Sequence, residues 1–247
     1  MQLFLRKFGW IALVGASAIF FYASQSLPPI GSHKSAASTH VSPRYIESAP
    51  LETGALNMVT AVLADYRSFD TLGETVVILT AGLTSLLILG AVRTRNEDHG
   101  KDTMLLYSLG TDVLGATSYL LTPFIILFAT YVLVHGHTSP GGGFQGGSIL
   151  AASVILIRLI RGTQKGLRPG GVTLVAIASG GVFLYLFVGL ISIFFGSNFL
   201  DYSALPLPFE GGQLRAFGSF VIEVGVFIAV AAVLILIFDT LAASVRD

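Results

Sequence analysis

Six runs of apolar residues dominate this chain, at 8–23, 72–92, 119–134, 145–160, 172–195 and 216–238. A helix needs about 20 apolar residues to cross a bilayer core, and shorter runs are completed by flanking residues. Transmembrane strands alternate over about ten residues, and none of these runs alternates. Only 11% of the residues are charged and 53% are hydrophobic, against about 25% charged in a soluble domain. The sequence predicts an all-α, polytopic integral membrane protein with about six transmembrane helices. Run 8–23 follows Arg6 and Lys7, a layout shared by signal peptides and first membrane helices; it is read as a membrane helix.

Two function classes drop out early. Net charge is zero, so no nucleic-acid partner is implied. The chain has no cysteine, which removes disulfides, thiol catalysis and cysteine ligation of iron–sulfur clusters.

Between the runs, residues 24–52 are rich in Ser, Pro and Ala and read as loop. Residues 54–66 are too short to span comfortably. On a helix, Asn57, Thr60, Ala61, Ala64, Asp65 and Ser68 form one small-polar stripe, with Leu56, Val59, Leu63 and Tyr66 opposite. This pattern predicts a short amphipathic or re-entrant helix. Residues 93–118 form a charged connector with a possible interfacial helix at Met104–Leu114. Residues 161–171 read as a basic loop and 196–215 as an exposed one. Arg6/Lys7, Arg93/Arg95/Lys101, Arg158/Arg161/Lys165/Arg168 and Arg246 all fall on one side if 54–66 does not cross. By the positive-inside rule that side is cytoplasmic.

Three groups of residues stand out. The stretch 65–74, DYRSFDTLGE, places Asp65, Asp70, Glu74 and Arg67 at a membrane-embedded turn. Such charges are costly there unless paired or hydrated. Arg67 is placed to pair with Asp65 or Asp70. Asp70 or Thr71 can cap the following helix with Glu74 closing a capping box, while Glu74 also sits inside the apolar run proper. The second is Glu223, the lone charge in SFVIEVGVFIAVAAVLILIF, which must be protonated, paired or hydrated. Asp239, near the end of that run, reads as an interfacial charge close to Arg246.

The third is HGHTSPGGGFQGGS at 135–148, with six glycines in fourteen residues. His135 and His137 supply two of the four ligands a zinc site needs, and there is no cysteine to complete it, so no metal is assigned. The glycines match neither a P-loop nor a dinucleotide fingerprint. Pro140, Gly141, Gly142 and Gly143 end one helix, and Phe144 to Gly147 begin the next. Gly143, Gly146, Gly147 and Ala151 then form a small-residue face that admits another helix backbone. The stretch reads as a tight helical hairpin built for packing.

The sequence HGHTSPGGGFQGG and the later VIEVGVFIAVAAVLILIFD resemble the MrpB/MnhB family of multisubunit Na+/H+ antiporter subunits, over about 115–240. The segment TGALNMVTAVLADYRSFDTLGETVVILTA resembles the module found near the C-terminus of MrpA and as the small MbhE subunit of membrane-bound hydrogenases, over about 1–92. Ser68 stands where that module has glycine in the form DYRGFDTLGE. The resemblance implies an MbhE-like module (1–92), a connector (93–118) and an MrpB-like four-helix module (119–247). It implies a non-catalytic subunit without cofactor, working with MrpA-, MrpC- and MrpD-type subunits and lipids in a prokaryotic plasma membrane. Na+ and H+ would be the transported ions. It also implies roles in cation transport for Asp70 and Glu74, with Asp65 beside them. A redox-coupled complex, such as an energy-converting hydrogenase, uses related subunits and is the alternative setting.

Overall fold

The computed structural model describes residues 2–96, 112–161 and 169–244. Among them the secondary structure is helical throughout, with no strand. The chain divides into two compact units, 1–46 and 47–247. The first holds α1 (Gln2–Ser24) and a π-helical turn, Ala37–Val41. The second is built from α3 (Met58–Thr60) and its π-helical continuation Ala61–Tyr66, α4 (Ser68–Asn96), α5 (Asp112–Val134), α6 (Gly143–Arg161), α7 (Gly171–Phe194) and α8 (Gly211–Ser244). Helix α2 (Ser42–Thr53) leads into it. Five of these helices, α4 to α8, are long and apolar enough to cross a membrane, and Gly9–Ser24 is a shorter apolar helix. The protein is a multi-pass, all-helical membrane protein.

Helix α8 is the hub. It packs against α4, α6 and α7, while α5 packs chiefly on α6. Its buried face includes Ile222, Val226, Ala229, Val233 and Leu236. In a bilayer the hydrophobic effect does not drive helices together, so close backbone approach does. Glycines supply it at three crossings. On α7, Gly181 faces Gly225 and Ala229 of α8. On α4, Gly82 faces Val233. On α6, Gly143 and Gly147 lie against Glu223, Val226 and Phe227. With 34 residues at about 1.5 Å each, α8 is about 51 Å long, well beyond the ~30 Å hydrocarbon core.

The exposed face of α4 carries Thr80 and Thr84, whose hydroxyls donate to the carbonyls of Val76 and Thr80 one turn back. Satisfied in this way, they can face lipid without an orphan donor.

Two loop expectations are corrected. Residues 37–53 are helical rather than loop, because Pro43 sits in the first turn of α2, where its missing N–H costs nothing. Residues 196–215 are not simply exposed: Leu200, Tyr202 and Leu205 are buried, and α8 has begun by Gly211. The polar signal of Asp201, Pro206, Pro208 and Glu210 hid three apolar anchors. The expected interfacial helix at Met104–Leu114 and the basic loop at 161–171 fall largely outside the described residues.

Candidate functional site

The small-polar stripe of 54–66 folds inward. Thr60, Ala61, Ala64, Asp65 and Ser68 are buried, whereas Leu56, Val59 and Leu63 are exposed. A π-turn widens the helix and leaves carbonyls without their usual donors; here side-chain hydroxyls take them up. Tyr202 donates to the Ala64 carbonyl at 2.9 Å and Thr71 to that of Leu63 at 2.7 Å. Tyr185, fully buried on α7, donates to the Ser68 carbonyl at 2.7 Å. The chain breaks at Arg67 (φ −124°, ψ 33°) before α4 starts.

Asp65 and Arg67 do not pair. The Asp65 carboxylate is 1% exposed and is gripped by Arg215, whose Nε donates to Oδ2 at 3.0 Å while Nη2 bonds Oδ1. Nη1 of the same guanidinium reaches Asp201 Oδ1 at 3.0 Å. Burial pushes the Asp65 carboxyl above its ordinary value, and the two-pronged grip of Arg215 works against that. Asp201 is held below its ordinary value, first by the Ser197 hydroxyl at 2.6 Å and then by Ser203. Arg67 instead joins Asp70 at 2.6 Å, and both are largely exposed. Exposed pairs of this kind contribute about 0–1 kcal/mol.

The capping box at 70–74 does not form. Helix α4 starts at Ser68, so Asp70 lies in its first turn, Thr71 bonds back to Leu63, and Glu74 is exposed. Among the described residues Glu74 joins no hydrogen bond or ion pair.

The glycine hairpin between α5 and α6 docks on the start of the 54–66 segment. Backbone N–H groups of Leu56 and Asn57 donate to the His137 carbonyl at 2.9 and 3.0 Å. The Asn57 amide reaches the carbonyls of Gly136 (2.8 Å) and Ser139 (2.9 Å), and Thr60 adds a bond to Gly136 at 2.6 Å. His135 stacks on Tyr131, with ring centroids 4.0 Å apart. Gly141 to Gly143 make the turn, Gly142 at φ +118°, a conformation that favours glycine. The packing face at Gly143, Gly146 and Gly147 meets α8 and, at Gly146, the Ala129 carbonyl of α5. Glu223 lies on α8 directly against this hairpin: a Cβ at Gly136 or Gly142 would come 3.0 Å from a carboxylate oxygen. Arg246, expected near Asp239, falls outside the described residues, and Asp239 itself, farther along α8, has another partner. It pairs with the buried Arg158 of α6.

Arg215 is the residue that the sequence reading passed over. A signal was available: it is a cation at the end of α8 opposite the basic loops, where the positive-inside rule makes cations scarce.

The paired halves, joined through Asn57, Thr60 and Arg215, have counterparts among known proteins. The family model described as a domain related to the MnhB subunit of Na+/H+ antiporters matches residues 113–236, half of the chain. The chain belongs to the MnhB family. The MbhE model, which describes the E subunit of MBH, matches residues 30–103, so this is an MnhB-type subunit fused to an MbhE-like module. The Na(+)/H(+) antiporter B subunit of Bacillus subtilis (strain 168) is 31% identical over 133 residues, covering 52% of this chain and 91% of that one. The probable K(+)/H(+) antiporter A/B subunit of Rhizobium meliloti (strain 1021) is 28% identical over 222 residues. That match covers 80% of this chain but only 22% of the relative's length. Among solved structures, the Mrp complex from Dietzia sp. DQ12-45-1b aligns with a TM-score of 0.68 and 26% identity over 98% of this MnhB-type chain and 26% of its counterpart. The membrane-bound sulfane sulfur reductase, an archaeal respiratory membrane complex, aligns with a TM-score of 0.64 and 28% identity, over 94% of this chain and 96% of that one.

Proposed function

We propose that this chain is a subunit of an Mrp-type cation/proton antiport complex in a prokaryotic plasma membrane, with Glu74 and Glu223 on the ion route and Asp65 and Asp70 holding the structure around it. MrpA-, MrpC- and MrpD-type subunits are its partners in this reading. The observation that carries it is the position of Glu74. It is the seventh residue of a membrane-spanning helix, about 9 Å from the helix start, exposed and without an intramolecular partner among the described residues. A carboxylate on a membrane helix costs up to about 2.5–3.5 kcal/mol at its centre if it faces lipid. That cost is relieved when a neighbouring subunit supplies a cation, water or the transported ion. Asp65 and Asp70, by contrast, each have a cationic partner within the chain.

Glu74→Gln keeps shape and hydrogen-bonding capacity but cannot ionise. The expected outcome is loss of sodium-dependent pH change in inverted membrane vesicles with the complex still assembled in a pull-down. Full transport in that variant would return Glu74 to a packing role.

A second reading is supported by the whole-length match to a chain of the sulfane sulfur reductase: the same fold serving as membrane arm of a redox-driven pump. Mild-detergent purification separates the two, since copurifying iron–sulfur subunits place the chain in a redox complex.

A further inference from the structure

A cavity of about 50 Å³ lies where the π-turn, the first turn of α4, the glycine hairpin and α8 meet. A water needs about 10–15 Å³ measured in this way, so there is room for a few. Its walls are chemically uneven. Thr60 and Thr71 contribute hydroxyls, Gly143 to Gln145 contribute the opening turn of α6, and Glu223 contributes the wall's carboxylate.

Glu223 is half-buried, and among the described residues its carboxylate has no hydrogen-bond or ion-pair partner. A carboxylate left so inside a protein is neutralised or hydrated. The same cavity is lined by the opening residues of α6, and the first N–H groups of a helix have no acceptor within it. The positive end of a helix attracts water oxygens and anions and repels a bare cation. The cavity therefore suits water bridging carboxylate and donors better than it suits a dehydrated metal ion. Gly142 lines that space, and a Cβ there would stand 3.0 Å from a carboxylate oxygen, tighter than an ordinary contact.

We propose that Glu223 is a proton-exchange site, served by water held in this cavity. A hydronium ion arriving along the water gives its proton to a Glu223 carboxylate oxygen and becomes water; the reverse step releases it. One proton moves and no electrons do. The ionisable groups around it are few. Tyr185 of α7 and Tyr202, which opens a short 3-10 turn (Tyr202–Ala204), lie within electrostatic reach of Glu223, and Tyr185 is also within reach of Glu74 on α4. Asp65 of the π-turn is occupied by Arg215. The cavity-lining residues of the hairpin and α6, 141–145, carry no ionisable side chain, and His135 stacks on Tyr131. The proposal deepens the ion-route reading of Glu223 but is tested without transport.

The test is infrared difference spectroscopy on the purified complex containing this chain. The wild type is expected to show a carboxylic C=O band that titrates with pH, shifts on transfer to D2O and does not respond to Na+ at fixed pH. Glu223→Gln should lose it. Leu63→Phe, which adds bulk beside the cavity at a partly exposed position, should keep the band but slow its D2O shift. Size-exclusion profiles confirm that both variants assemble. A band that persists in Glu223→Gln overturns the proposal, as does absence of any D2O shift in the wild type. Loss of the band on adding Na+ at fixed pH also overturns it, by making Glu223 a cation ligand. If Glu223→Gln loses the band yet transports normally, the proton site stands and the ion-route role of Glu223 falls. If transport is lost while the band remains, the proton site falls alone.

Discussion

The ends and the middle of α8 treat charge in opposite ways. Near one end Arg215 is bound by Asp65 and Asp201, and near the other Asp239 is bound by Arg158. Between them Glu223 has no such partner among the described residues and borders a cavity instead. Paired charges fasten α8 to its neighbours: Arg215 to the π-turn and the 196–210 connection, Asp239 to α6. An unpaired carboxylate fastens nothing, which leaves it free to change protonation. The contrast teaches that a membrane carboxylate must be judged by what surrounds it. Asp65 and Glu223 both look anomalous in the sequence, yet one is a fastener and the other borders a cavity.

The contrast is broken most severely at Arg215. Arg215→Ala leaves the Asp65 carboxylate buried and unmatched, and should cost about 3–5 kcal/mol. The expected readout is a large fall in thermal stability of the purified protein, with the apolar pair Asp65→Leu/Arg215→Met recovering much of it. If the single variant melts like wild type, the pair is not a fastener.

The middle of α8 is held by backbone proximity rather than charge, and two adjacent glycines test that. A Cβ on Gly181 would come 2.9 Å from the Ala229 nitrogen, whereas at Gly180, apart from its chain neighbours and the adjoining backbone of its own helix, no atom of the described residues lies within 4 Å. Gly181→Ala should destabilise by about 1–3 kcal/mol, the usual range for overpacking, and Gly180→Ala should leave the fold of the chain unchanged. Equal melting temperatures for the two would remove close α7–α8 approach as the holding principle.

The smallest effect is expected at Asp201. Its folded-state pKa is lowered, so its contribution is present above the ordinary carboxylate value and is lost as pH falls through the lowered one, below about 4. Asp201→Asn should cost about 1 kcal/mol at neutral pH, and the difference from wild type should shrink on acidification. A gap that widens toward low pH would reverse the assigned sign.

Helices and their packing faces were open to reading because they depend on local pattern. The apolar runs foretold α4 to α8, and helical periodicity at 54–68 separated the two faces of that segment, though not which of them turns inward. The glycine face of α6 was visible for the same reason, though not that α8 would fill it. Partnerships were not visible. Asp65 and Arg215 are 150 residues apart, and proximity in sequence pointed to Arg67. The surroundings of Glu223 were hidden more deeply. They consist largely of glycine backbone, helix-end N–H groups and threonine hydroxyls, none of which announces itself as a ligand in a string of letters.

The two ion pairs also act as a ruler. Arg215 and Asp239 are 24 positions apart on α8, which at about 1.5 Å per residue sets them about 36 Å from each other along the helix axis. An average hydrocarbon core is about 30 Å thick, and a mismatch costs fractions of a kcal/mol per Å through tilting or bilayer deformation. Lipid chain length thus becomes a mechanical load on the protein. Thin, short-chain bilayers draw the polar clamps toward tilt, and thicker ones let α8 stand upright with both clamps at the headgroups.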